Sequence, residues 1–142
     1  MRTLSFVSLI AFAAALAAPG SALADGTHTK GPEPVQVLGG QQVQLSDYLV
    51  PGKTTIFDFH SEYCPPCRAI APKMQKLHET HPEIAVVDID INRPDVKTID
   101  WSSPVAQQYG LQSIPHFKIF GPDGKLIAEG DDAYGQIEKL VE

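Results

Sequence analysis

The chain has 142 residues, 43% of them apolar and 20% charged, with 17 acidic against 11 basic side chains and only two cysteines. The net charge of −6 and the absence of any basic cluster argue against nucleic acid or anionic lipid as a partner. The length suits one domain with one core, and no internal repeat divides it.

Residues 1–24 read as an export signal. A basic start, Met1-Arg2, precedes a largely apolar run from Leu4 to Ala18, and Ala22-Leu23-Ala24 places small residues where a signal peptidase cuts. The run of 15 residues is shorter than the ~20 a membrane-spanning helix needs. Cleavage after Ala24 is expected to leave 118 residues of net charge −7 in a periplasmic or secreted location, without stable membrane insertion. No cysteine near the cut offers a lipid attachment. Residues 25–34 (DGTHTKGPEP) have no apolar side chain and are expected to form a flexible leader. Residues 35–142 then make the domain.

Pro34 to Leu38 alternates like a short strand, and Leu45 to Val50 reads as one helical turn ended by Pro51-Gly52. Thr54 to Phe59 is dense in β-branched and aromatic residues and predicts a strand. From Cys64 to His81 the period changes, and Ile70, Met74 and Leu77 mark one face of a helix. Ile84 to Ile89 reads as a buried parallel strand. Asp88 and Asp90, alternating with Ile89 and Ile91, read as its solvated end. Ser103-Pro104 supplies an N-cap and a first-turn proline for a helix that Gly110 closes. His116 to Phe120, a turn at Gly121-Pro122-Asp123-Gly124, and Lys125 to Glu129 predict a hairpin. A last helix over 133–141 should bury Ile137, Leu140 and Tyr134. This order implies an α/β domain of parallel βαβ units followed by an antiparallel hairpin and a covering helix.

Cys64 and Cys67 carry the chemistry. A bridge over two intervening residues closes too small a loop to stabilise much, which makes it a poor staple and a better reaction centre. Cys64 stands where strand gives way to helix, so its sulfur should face free backbone N–H groups that favour thiolate. Pro65 and Pro66 lack only N–H groups that the first helical turn leaves idle. Cys67 lies one turn on, on the same face, positioned to attack a mixed disulfide formed by Cys64. Zinc would need four ligands, and beyond the thiols the chain offers His60, His116 and scattered acids, so no metal site is expected.

From Val35 to Val141 the chain resembles the thioredoxin family in four places. These are Asp58-Phe59 at the end of a strand, Glu62-Tyr63-Cys64-Pro65-Pro66-Cys67-Arg68, Pro72 in the following helix, and Tyr109-Gly110-Leu111-Gln112-Ser113-Ile114-Pro115. The resemblance implies a thioredoxin fold, with a central mixed β-sheet flanked by helices, and a thiol-disulfide oxidoreductase. It makes Cys64 the exposed nucleophile, Cys67 the resolving thiol and Asp58 its buried proton acceptor. It makes Pro115 the cis-proline that docks substrate with Ile114 and Tyr63. His60 and Tyr63 stand where the family usually has tryptophan, and alignment puts Val86 where many members pair the buried Asp with Lys. His60, Pro65 and Pro66 are therefore the candidates for tuning the thiolate. Trp101, before a helix, and His116, after Pro115, read as packing and as an outward-facing strand residue.

The expected function is reduction of protein disulfides in the periplasm by a monomer with no cofactor beyond its own redox-active disulfide. Electrons would come from a membrane thiol donor. The alternatives are an oxidant that inserts disulfides and a non-catalytic binding module.

Overall fold

A computed structural model describes residues 28–142; the expected export signal and the first three leader residues lie outside the described part. Among the described residues five strands form one mixed sheet in the order β1-β3-β2-β4-β5. They are β1 (Val35–Val37), β2 (Thr54–His60), β3 (Ile84–Asp90), β4 (His116–Phe120) and β5 (Leu126–Glu129). β1, β3 and β2 run parallel, while β4 is antiparallel to β2 and β5 to β4.

β2 lies at the centre, paired along both edges, and five of its seven residues are buried. Ile56, Phe57 and Phe59 are wholly inaccessible to solvent, and burying each such side chain contributes about 1.5–3 kcal/mol. Its alternation divides the core between two faces of the sheet. On one face, Ile56, Val86 and Phe117 pack with Ile70, Met74 and Leu77 of helix α1 (Pro65–Thr80) and Ile137 of α3 (Gly130–Leu140). On the other, Phe57, Phe59 and Ile89 pack with Val105 and Ala106 of α2 (Pro104–Gln108) and with Leu45 of a 3₁₀ turn, Leu45–Tyr48. Asp58, His60, Asp88 and Asp90 alternate onto the α1 face.

Three expectations need correction. Leu140 is not buried: it is the last residue of α3, no further turn covers it, and 45% of its surface is exposed. Asp88 does not lie at a solvated strand end, because β1 pairs outside β3 and places Gln36 beside Asp88. Residues 28–34, read as part of a flexible leader, lie against the domain with Pro34 buried. Polar contacts hold them where apolar ones are lacking. Lys30 Nζ donates to the carbonyls of His78 (2.5 Å) and His81 (2.6 Å) at the end of α1. The ring of His78 meets the Gly31 carbonyl at 3.0 Å and accepts the Val86 amide at 3.0 Å. His28 stacks on Tyr48 at 5.2 Å.

Candidate redox site

The site forms where β2 ends and α1 begins. Cys64 is the N-cap of α1 in extended conformation, and its Sγ accepts the Cys67 amide at 3.2 Å. Pro65 and Pro66 fill the first helical positions, where their missing N–H groups cost nothing. Cys64 and Cys67 are joined by a disulfide, with Cα atoms 5.3 Å apart. The Ile114-Pro115 peptide is cis and brings the Ile114 carbonyl oxygen to 3.5 Å from Cys64 Sγ. Tyr63, Ile114 and Pro115 are half-buried around the bridge. The hydrogen bond to Glu62 beside it raises the Tyr63 phenol above its ordinary value.

Cys64, expected as an exposed nucleophile, is only 2% exposed in this disulfide form. Its sulfur is turned toward the Ile114 carbonyl and tied to Cys67, and the solvent-facing part of the motif is Pro65-Pro66.

Behind the bridge lies a polar recess. Asp58 is 3% exposed and its Oδ1 finds no hydrogen-bond partner among the described residues. Burial first, and the charge of Asp88 second, push its carboxyl well above the usual range. Asp88 faces Asp58 across the β2–β3 register. It accepts a hydrogen bond from Gln36 Nε2 at 2.5 Å, yet burial still raises it. Both carboxyl groups line a cavity of about 660 Å³ together with His60, Gln36 and Arg68. A second cavity of about 390 Å³ is lined by Cys67, His60, Arg68, Ala71 and Asp90. His60 Nε2 is buried and also lacks a partner among the described residues.

The structure therefore brings Cys64, Cys67, Tyr63, Ile114 and Pro115 together, and sets Asp58 and His60 in and beside the recess behind them. Asp88 is the member that sequence reasoning missed. β2 and β3 both span seven residues, and laying the two runs side by side in parallel would have matched Asp58 with Asp88. His116 is 16% exposed rather than outward-facing. Its ring lies 6.0 Å from that of Phe59 and its Nε2 3.4 Å from Glu129, and burial lowers its pKa against the opposing pull of Glu129. Trp101 is 38% exposed in the loop before α2. Among the described residues, no three His, Cys, Asp or Glu side chains converge as a metal site would require.

Comparison with known proteins agrees with this geometry. The family model described as Thioredoxin matches residues 41–142. Thioredoxin-2 of Pyricularia oryzae is 36% identical over 86 residues, covering 60% of this chain and 44% of that protein. Chloroplastic thioredoxin F1 of Arabidopsis thaliana is 32% identical over 77 residues, covering 54% and 39%. The chain thus spans less than half the length of either relative. The crystal structure of thioredoxin f from spinach chloroplast (short form) superposes with a TM-score of 0.54 at 20% identity, covering 81% of this chain and 99% of that one.

Proposed function

Because the chain belongs to the thioredoxin family, we propose that it is a protein-disulfide oxidoreductase, in which Cys64 attacks a client disulfide and Cys67 resolves the mixed disulfide. The observation that carries this reading is the Cys64–Cys67 bridge at the N-terminus of α1, facing the carbonyl of the cis Ile114-Pro115 pair. The Cys64 thiolate, seated at the helix N-cap, gains from the Cys67 amide that its sulfur already meets in the disulfide form. Its attack breaks the client S–S bond and releases one client thiolate. Cys67 then attacks Cys64, restoring the bridge and releasing the second client sulfur. Tyr63, Ile114 and Pro115 form the rim against which the client backbone docks.

The reaction runs as reduction in the periplasm or another exported space, with a monomer supplied with electrons by a membrane thiol donor. The charges near Cys64 support this direction. The helix N-terminus and Arg68 favour thiolate, Glu62 opposes it, and no histidine stands between the two cysteines. Such moderate stabilisation suits a potential below about −180 mV, toward the thioredoxin value of about −270 mV. Equilibrating the protein with glutathione buffers measures it, and a value near the strong-oxidant figure of about −120 mV would reverse the direction.

Cysteine variants test the exchange itself. Cys64→Ser should abolish insulin reduction, while Cys67→Ser should accumulate long-lived mixed disulfides with client proteins. A Cys67→Ser protein that captures no partner in extracts of the exported compartment would overturn the order of the thiols.

A further inference from the structure

The resolving thiol and the buried carboxylates occupy different cavities. Cys67 lines the smaller one, and Asp58 and Asp88 line the larger and not the smaller. Three residues line both: His60, Arg68 and Ala71. Ala71 has no proton to exchange, and the guanidinium of Arg68 does not give one up. Only an imidazole, with one nitrogen to accept and another to donate, can pass a proton between the two spaces. The Nε2 of His60 is buried and unpaired among the described residues, so no competing hydrogen bond fixes its proton.

Resting on the exchange reading above, we propose that His60 relays the proton of the Cys67 thiol to Asp58 and Asp88, which act as a coupled carboxylate pair. The two carboxyl groups stand opposite each other on adjacent parallel strands, both facing α1. Like charges facing each other at buried positions do not ionise independently, so such a pair holds a proton that neither residue would hold alone. Burial raises both groups.

The step balances. In the mixed disulfide, Cys67 gives its proton to His60, and the Cys67 thiolate attacks Cys64 Sγ. The Cys64–Cys67 bond forms, the Cys64–client bond breaks, and the client sulfur leaves with the electron pair. The imidazolium passes its proton to the doubly ionised pair, whose negative charge falls from two to one. The surrounding charges bear on both groups. Glu33 of the N-terminal segment and Gln36 of β1 line the carboxylate cavity, while Glu62 and Asp90 line the thiol cavity and Arg68 lines both. His60 and, from within α1, His78 lower Asp88 against its burial. The pair can accept a proton only after losing the one it shares, so the resolving step should accelerate as pH rises. Removing the charge of Asp88 should move that rise to lower pH.

Stopped-flow reaction of the reduced protein with the chromogenic disulfide DTNB separates the two steps. The first release of thionitrobenzoate reports attack by Cys64, and the second reports attack by Cys67. Profiles between about pH 5 and pH 9 are expected to show the second phase of His60→Ala slowed roughly a hundredfold relative to its first. Added imidazole should restore it. Asp88→Asn and Asp58→Asn, each leaving a single carboxylate to accept, should each shift the second-phase midpoint to lower pH. His60→Gln, which keeps more of the side-chain volume, provides the same comparison if the alanine variant fails to fold. A second phase whose pH profile is unmoved by His60 or Asp88 substitution, or a His60→Ala defect that imidazole does not rescue, overturns the relay while leaving the exchange reading intact. Loss of the first phase in the unaltered protein would sink the exchange reading, and the relay with it.

Discussion

Ser103 is wholly buried, and its hydroxyl accepts the Ala106 amide at 3.2 Å. It caps α2, a helix of only five residues in which each satisfied end group counts for much. Ser103→Ala should cost about 1 kcal/mol, read as a lower urea midpoint with an unchanged slope. A cap of this kind is visible in sequence because donor and acceptor lie three residues apart, and the Cys64/Cys67 pair is visible for the same reason. Asp88 was invisible. Its meaning depends on Asp58 in another strand, and the Asp-Ile-Asp alternation has the appearance of an ordinary strand running out into solvent. The burial of Cys64 was hidden likewise, since only the returning Ile114-Pro115 segment reveals what closes over the sulfur.

At the scale of elements, the strands and helices follow the sequence pattern to within a few residues, because periodicity is a local property. The segment between β3 and α2 has no period, and it is held by side chains instead. Arg93 Nε and Nη2 donate to the two carboxylate oxygens of Asp100 at 2.7 and 3.0 Å. Asn92 Nδ2 donates to the carbonyls of Val96 (3.0 Å) and Thr98 (2.6 Å). The hydrogen bonds from Arg93 lower Asp100 to about 2, below the ~3.9 of an unfolded chain. A carboxyl lowered on folding contributes stability that is complete above the unfolded value and is lost as pH falls through the folded one. Stability should therefore decline between about pH 4 and pH 2 through this pair. Asp100→Asn should flatten that part of a urea-midpoint profile. An unchanged acid limb in the variant would assign the loss to other carboxylates. Nothing in the spacing of Arg93 and Asp100 announced the pair, since an irregular loop sets its own distances.

Across the whole molecule, the N-terminal segment links parts that the sheet order leaves apart. It runs from Tyr48, against which His28 stacks, along the end of α1, where Lys30 closes the helix carbonyls of His78 and His81. Glu33 then accepts from Gln75 at 2.9 Å, and the buried Pro34 lines the carboxylate cavity. The composition of this stretch contains no apolar side chain to betray such docking. Its partners are backbone carbonyls, the buried His78, the Tyr48 ring and the Gln75 amide, which no pattern of hydrophobicity records. The docking has a consequence for digestion. Trypsin must draw a lysine side chain into its own pocket and extend the backbone around it, and the ammonium of Lys30 is already held by two carbonyls. Cleavage after Lys30 therefore has to wait for the segment to lift away. In the native protein it should be at least about tenfold slower than in a free peptide of residues 25–36. Equal rates would mean that the segment is undocked in solution.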